Sequence, residues 1–339
     1  MFSKSKWLQF TLICVVIVLL PYGFSRLASS SRRIVLFNNE NTLVNELNDT
    51  SDNLRIVCYN IAHGRGIAES NQTGGDLAER TRRLQQIAQL LRTLKADIVV
   101  LNEVDFDASW SFGVNQAQYL AEQAEYPYRI EQRNLDFRVL GWRWRFGNAI
   151  LSRYPIRDYD LIKIPAHSTW ESWLVGHKQG VRVEIALGNQ PIHIIATHLE
   201  HRGEADRTTS VRTILQTIGP LEQPTILVGD LNSTPTGFPA STKDAQGNNA
   251  IDILDQSRKF RREPKQEPKE SQFTYHSQQP DRVIDWILIP TNWRFQNYYA
   301  IDSNLSDHRP VVAEISTKSE SVHSQLPAEE SRPQFSEGP

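Results

Sequence analysis

Short apolar runs that end in polar side chains recur along this chain, and their spacing predicts its elements. The plainest is Thr225-Ile226-Leu227-Val228-Gly229-Asp230-Leu231-Asn232. Its aliphatic run reads as a buried strand, and the Gly-Asp-x-Asn that follows puts a carboxylate and a carboxamide at the exposed end. Arg55 to Ile61 repeats the arrangement with Asn60, and Ala96 to Leu101 delivers Asn102 and Glu103. Gly147 to Ser152 reads as a strand stopped by Tyr154-Pro155, Val181 to Leu187 alternates as a half-buried strand does, and Ile192 to Thr197 ends in His198. Ile284 to Ile289 encloses one acidic residue, Asp285, and Val311 to Ile315 follows Ser306-Asp307-His308-Arg309-Pro310. Two segments have helical period instead. Asp76 with Glu79 makes a capping-box start for a face of Leu84, Ile87, Ala88, Leu91 and Leu94, and Val211, Ile214, Leu215 and Ile218 mark a second helix.

The ends of the chain have a different pattern. Trp7 to Phe24 has no charged residue and would be about 27 Å long as a helix, the short end of a membrane span. A signal peptide cleaved near Ala28 and a retained anchor both fit it. Lys4 and Lys6 precede the run, so either reading puts the remaining chain across a membrane, extracytoplasmic and tethered or secreted. The expected organisation is an anchor or signal over 1–28, a flexible tether over 29–53, one catalytic-size domain over 54–316 and a disordered tail over 317–339. Residues 105 to 180 read as less regular, and 262 to 272 as a solvated loop.

Composition narrows the partners. With 37 basic and 39 acidic residues in 339, the net charge is -2, so no global field recruits nucleic acid or anionic lipid and any such patch is local. Cys14 lies in the apolar run and Cys58 in a predicted strand, which gives no disulfide framework. The polar residues at the strand ends are Asn60, Glu103, His198, Asp230, Asn232, Asp285, Asp307 and His308. Carboxylate, amide and imidazole together suit metal-assisted attack of water on a phosphate ester, and oxygen ligands favour magnesium or manganese. No Gly-x-Ser-x-Gly elbow and no P-loop is written here, which argues against serine hydrolases and nucleotide motors.

Seven segments taken together resemble a known family. They are Tyr59-Asn60-Ile61, Asn102-Glu103-Val104-Asp105, Gly147 to Ser152, Thr197-His198-Leu199, Gly229 to Asn232, Ile284 to Ile287, and Ser306 to Pro310. In this order they resemble the successive motifs of the endonuclease/exonuclease/phosphatase superfamily, the DNase I-like proteins. The resemblance implies an α/β fold, a four-layer α/β sandwich with two mixed β-sheets face to face, helices outside and a site at one edge. It further implies that Asn60, Glu103 and Asp307 hold a divalent cation, Mg2+ or Mn2+. Asp230 and Asn232 would position the attacking water and a phosphate oxygen and join a second metal site. His308 would be the general base oriented by Asp285, with the water's proton going to Asp230 or His308. His198 would bond the scissile phosphate, and Asn148 would meet the substrate. His63 is expected only at the rim.

The substrate stays open between nucleic acid and a phospholipid headgroup. Arg129, Arg133, Arg138, Trp142, Arg143, Trp144 and Arg145 interleave base with aromatic, which suits stacking on bases and equally suits a lipid interface. Arg143 and Arg145 are the expected substrate contacts, and the chain is expected to act as a monomer. The alternative from another class is a catalytically inactive, membrane-tethered binding module of the same fold, which requires the loss of a metal ligand or of the Asp-His pair.

Overall fold

The computed structural model describes residues 4–28, 33–38, 52–139, 141–170, 172, 176–188, 190–219 and 221–318. In chain order these form α1 (Lys4–Ala28), β1 (Ile34–Asn38), β2 (Asn53–Asn60), α2 (Leu77–Leu94), β3 (Ile98–Ala108), α3 (Gln116–Gln123), β4 (Tyr128–Val139) and β5 (Trp142–Ser152). They continue with β6 (Ile156–Ile162), β7 (Gly180–Leu187), β8 (Gln190–His198), α4 (Glu204–Ile218), β9 (Thr225–Asp230) and α5 (Ala250–Gln256). The last are β10 (Phe260–Arg261), β11 (Asp285–Pro290), β12 (Arg294–Ala300) and β13 (Val311–Ser316).

Strand alternation builds the layers. Ile56 and Cys58 of β2 enter a core shared with Ile194 and Ala196 of β8 and Ile226 and Val228 of β9, between the two sheets. Val57 and Tyr59, the residues between and after them, face the opposite way onto Leu84, Ile87 and Leu91 of α2 and Leu120 of α3. On the other side Ile195, Leu227, Trp286 and Leu288 pack under Val211, Ile214 and Ile218 of α4 and Ile251 and Leu254 of α5. A strand buried on both faces needs a continuous apolar run, which is why these strands were visible in the sequence. One sheet runs β1-β4-β5-β3-β2-β13-β12 and the other β10-β11-β9-β8-β7-β6. Each sheet has one parallel pair, β2 with β3 and β8 with β9, and is otherwise antiparallel, so both are mixed and the four-layer expectation holds.

Three expectations change. Residues 105–162 are more regular than expected, because β3, β4 and β5 form a long antiparallel ribbon and β6 follows it, while the described residues between β6 and β7 form no strand. Residues 34–38, assigned to the tether, form β1, which pairs antiparallel to β4 from Ile34 opposite Gln132 to Asn38 opposite Tyr128. The loop from 262 to 272 buries Pro264 and Pro268 and closes in a 3-10 turn at Glu270–Gln272. The capping box of α2 is formed as expected, with Asp76 accepting from Glu79 N–H at 2.8 Å. Of the expected tether and tail, 29–32, 39–51 and 319–339 lie outside the described residues.

Gly229 shows why β9 carries a glycine before its aspartate. It stands opposite Thr197 in the parallel pair at φ +148°, where an added Cβ would meet the Thr197 carbonyl oxygen at 1.8 Å. Gly229→Ala is therefore expected to lose at least about 2 kcal/mol, by overpacking against a backbone that cannot move. A urea transition at lower midpoint and unchanged slope checks this, and an unshifted midpoint would refute it.

Candidate active site

Register places the polar strand ends in one row. His198 at the end of β8 is paired with Asp230 at the end of β9, and Asp285 at the start of β11 is paired with the same Asp230. On the first sheet Asn60 of β2 pairs with Asn102 of β3, and the β3–β5 register then slips between Leu101 and Val104. Glu103 sits in that slip at φ +52°, a conformation that costs a non-glycine residue strain and turns its side chain out of the strand alternation. Asn232 is also left-handed, at φ +49°, which asparagine tolerates. Its N–H donates to Asp230 Oδ1 at 2.9 Å and its Nδ2 to the Leu199 carbonyl at 3.0 Å.

These residues surround a cleft of about 410 Å³ lined by Glu103, His198, Asp230, Asn232, Asp307 and His308 together with Arg65 and Lys178. Asn60 and Asp285 are wholly buried beside it. His308 Nδ1 is 2.8 Å from Asp285 Oδ2, and its Nε2 lies 3.8 Å from Asp230 Oδ2. Asn60 Nδ2 donates to Asp230 Oδ2 at 3.1 Å, while Asn60 Oδ1 accepts from Ala62 N–H at 3.0 Å. Three expected substrate contacts sit elsewhere. Asn148 is buried in an amide network, accepting from Asn102 Nδ2 at 2.8 Å and donating to Gln132 Oε1 at 2.6 Å. Arg143 faces Asp107 at 3.2 Å and Arg145 faces Asp136 at 3.1 Å on the ribbon, and neither lines the cleft.

A family model described as "Endonuclease/Exonuclease/phosphatase family" matches residues 57–308, 252 of the 339. The chain belongs to the endonuclease/exonuclease/phosphatase family. Members of this family hydrolyse phosphoester bonds. The uncharacterized protein YbhP of Escherichia coli K12 is 25% identical over 246 residues, 68% of this chain and 88% of that protein. A family structure from Beutenbergia cavernae superimposes with TM-score 0.62 at 21% identity, covering 78% of this chain and 71% of its own. The mannosyl-6-phosphatase Bt3783 of Bacteroides thetaiotaomicron does so with TM-score 0.56 at 14% identity, covering 77% and 99%. These two superpositions speak for the fold.

Family enzymes typically use a divalent metal, and the donor chemistry here fits one. A single guanidinium spans two carboxylates that line the cleft, Arg65 Nη1 at 3.1 Å from Glu103 Oε2 and Nη2 at 2.8 Å from Asp307 Oδ2. The two acids are thus close enough to share one cation, and all-oxygen donors suit magnesium or manganese. Asp230, Asp285 and His308 also bring ligand atoms within 4.8 Å of one another. In that second group the one imidazole already stands against both acids, which offsets part of their charge.

Charge compensation sets the proton positions. Burial opposes ionisation of Glu103 and Asp230, yet both are held well below the usual carboxylate range. His63, His198 and Arg65 do this for Glu103, and His198 and His308 for Asp230. Burial carries Asp285 up to about 6 against the pull of His308, with Asp230 adding to the rise. His308 pays its own burial penalty and is still carried up to about 10 by Asp285 and Asp230. Burial and the Lys178 ammonium lower His198.

Two residues, Lys178 and Arg65, escaped the sequence reading, and two that it named, His63 and Asn102, stand in places it did not assign. Lys178 Nζ is 2.6 Å from His198 Nε2 and donates to the Leu199 carbonyl at 2.8 Å. The proton between lysine and histidine belongs with lysine, whose ordinary pKa is about 10.4 against about 6.5. His198 therefore accepts, and the ammonium is the positive group beside it at the cleft. Arg65 and Lys178 sit in loops with no periodicity, so only their positions after Asn60 and before β7 signal them. His63, expected at the rim, is oriented by Asp105 at 2.7 Å and stands 3.5 Å from Glu103 Oε2. Asn102 stood in a quoted motif without a role and proves to be the residue that joins the sheets beneath the cleft.

A raised histidine pKa stabilises the fold below the unfolded value near 6.5, and that contribution is lost as pH rises through about 10. In metal-free protein the gap in urea midpoint between wild type and His308→Gln is expected to be widest near pH 6 and to close toward pH 10. A gap that does not change with pH would contradict the charged assignment.

Proposed function

We propose that this chain is a divalent-metal-dependent phosphoesterase, carried by α1 as a membrane-anchored protein with its catalytic domain extracytoplasmic. The observation that carries the reading is the convergence of Glu103, Asp307, Asp230, His308, His198 and Lys178 on one cleft. Magnesium or manganese held by Glu103 and Asp307, with Asn60 adjoining, would neutralise phosphate charge. The chain's own groups supply the rest. Asp230, ionised, orients a water by accepting its hydrogen, and Asn232 fixes that carboxylate through its N–H. Lys178, its position shared with His198, offers protons where charge builds on a non-bridging oxygen. His308, protonated and held by Asp285, donates a hydrogen bond to the phosphate or its leaving oxygen.

The substrate class follows from what lies around the cleft. Arg143 and Arg145 each stand against an aspartate, so the ribbon is a poor track for a polyanion. A cleft of about 410 Å³ suits one phosphate ester with a small headgroup. We therefore place a phospholipid headgroup ahead of nucleic acid. The inactive-module alternative has no support, because no expected acid, amide or imidazole is missing.

Hydrolysis of bis-p-nitrophenyl phosphate, sphingomyelin and DNA, with magnesium and with chelator, tests the reading. Asp230→Ala and His308→Ala are expected to lower kcat by about 10²–10⁴-fold, and Lys178→Met by about 10²–10³-fold with metal affinity unchanged. Chelator-insensitive turnover, or variants equal to wild type, would overturn the assignment.

A further inference from the structure

We propose that the ribbon of β3, β4 and β5 is a bilayer-docking element that holds the mouth of the cleft against the lipid headgroup layer. The inference rests on the reading of α1 as a membrane anchor, and three observations carry it.

The first is where the ribbon goes. Strand β2 ends at Asn60, opposite Asn102, at the level of the cleft, but β3 continues to Ala108, paired with Trp144 of β5. Strands β4 and β5 run on together until Val139 faces Trp142. The ribbon therefore projects roughly 15–20 Å past the sheet edge at about 3.3 Å per residue, on the same end of the sandwich as the active site.

The second is how the anchor approaches. Strand β1 is antiparallel to β4, so the chain leading back from Ile34 runs toward the ribbon tip: Arg133 N–H donates to the Arg33 carbonyl at 2.7 Å, and Arg33 Nη1 to the Asn134 carbonyl at 3.3 Å. Only five residues separate Ala28 from Ile34, a reach of no more than about 20 Å. Tyr22 of α1 meets Phe137 of β4 with ring centroids 5.7 Å apart, and Phe137 stacks in turn on Trp144 at 5.1 Å. A tyrosine near the end of a span belongs at the membrane–water interface, and so the ribbon it touches belongs there too.

The third is what the tip exposes. Outside α1, the three most exposed large apolar side chains among the described residues are Trp170 at 69%, Trp142 at 59% and Phe112 at 50%. Trp142 and Phe112 flank the tip, because Ser109 Oγ accepts from Arg143 N–H at 2.8 Å. Trp170 lies in the segment whose neighbours His167 and Ser168 line a second cavity continuous with Lys178 and His198. Arg138 and Arg143, each half-exposed, share the single carboxylate of Asp107, so one net positive charge stays beside these rings, too little to track a polyanion but suited to the edge of a phosphate headgroup layer. An anchor that ends at the cleft side would bring the site to phosphate esters lying in that layer.

The test is depth measured by spin label in the full-length chain reconstituted in mixed phosphatidylcholine and phosphatidylglycerol vesicles. Native Cys14 is exposed on α1 and Cys58 is buried, so a label on wild type reports whether α1 inserts. In a Cys14→Ser background, Arg138→Cys places a label near the tip with Trp142 intact, and Thr93→Cys places one at the far end of the domain. The expected result is a Cys14 label in hydrocarbon and a tip label that loses access to a water-soluble relaxant relative to Thr93→Cys. Adding Trp142→Ser should return that access. A tip label as accessible as the one at Thr93, with Cys14 in hydrocarbon, overturns the docking while leaving the anchor and the phosphoesterase reading in place. A tip label protected only when DNA is added also overturns it. A Cys14 label in water removes the anchor and the docking together, and hydrolysis of the soluble chromogenic ester still judges the phosphoesterase reading by itself.

Discussion

The site depends on one buried carboxamide. Asn102 Nδ2 donates to Asn148 Oδ1 at 2.8 Å on β5 and to the Thr197 carbonyl at 3.1 Å on β8, and Asn102 Oδ1 accepts from Asp230 N–H at 2.9 Å on β9. Hydrophobic burial between the two aliphatic faces is non-directional, so it holds the sheets together without by itself singling out one polar alignment at their edge. A fully buried amide whose donors and acceptor are all satisfied removes that freedom, because any slip leaves a polar group unpaired at about 1–3 kcal/mol each. The next residue after this staple is Glu103, and the residue it holds across the gap is Asp230. The groups for one reaction, supplied by two separate sheets, thus share a fixed reference.

Electrostatics then decides what those groups are. Three acids, Glu103, Asp230 and Asp307, crowd a partly desolvated cleft, where like charges would drive protonation. Three cations prevent it: Arg65 between Glu103 and Asp307, Lys178 beside His198, and His308 between Asp285 and Asp230. Each cation has a distinct chemistry. Arginine is a fixed charge that a metal can displace, lysine is a compact proton source, and imidazole exchanges its proton when its carboxylate neighbours change. Glu103 and Asp230 remain ionised while they line the cleft, which is the state a nucleophile-orienting acid requires.

How much of this was legible depended on whether burial wrote a pattern. Strands β2, β8, β9 and β11 are covered on both faces, so they appear as largely apolar runs, and the functional polar residue stands at one end of each, at the close of β2, β8 and β9 and at the start of β11. Strand β4 carries Arg129, Glu131, Arg133, Asp136 and Arg138 and was unreadable. Most of its charges are buried in ion pairs, Arg133 with Asp136 of the same strand at 3.0 Å and Asp136 with Arg145 of β5 at 3.1 Å, so no apolar alternation marks it. The same pairing explains why Arg143 and Arg145 looked like substrate contacts: sequence shows the base and hides the partner acid. Strand β1 was lost because its short apolar run, Ile34 to Phe37, stands alone in a stretch rich in Ser and Asn that read as a tether. Lys178 and Arg65 were missed for a different reason, since long side chains on loops act where they reach, and Arg65 reaches Asp307, 242 positions away.

The central claim is that Glu103 and Asp307 form the cation seat that Arg65 spans in this structure. The most direct measurement is an anomalous difference map from crystals soaked in manganese. The account predicts one dominant peak bonded to carboxylate oxygens of Glu103 and Asp307 at about 2.0–2.3 Å, with the Arg65 guanidinium moved aside. A peak only among Asp230, Asp285 and His308, or no peak while Arg65 still bridges the two acids, would contradict it.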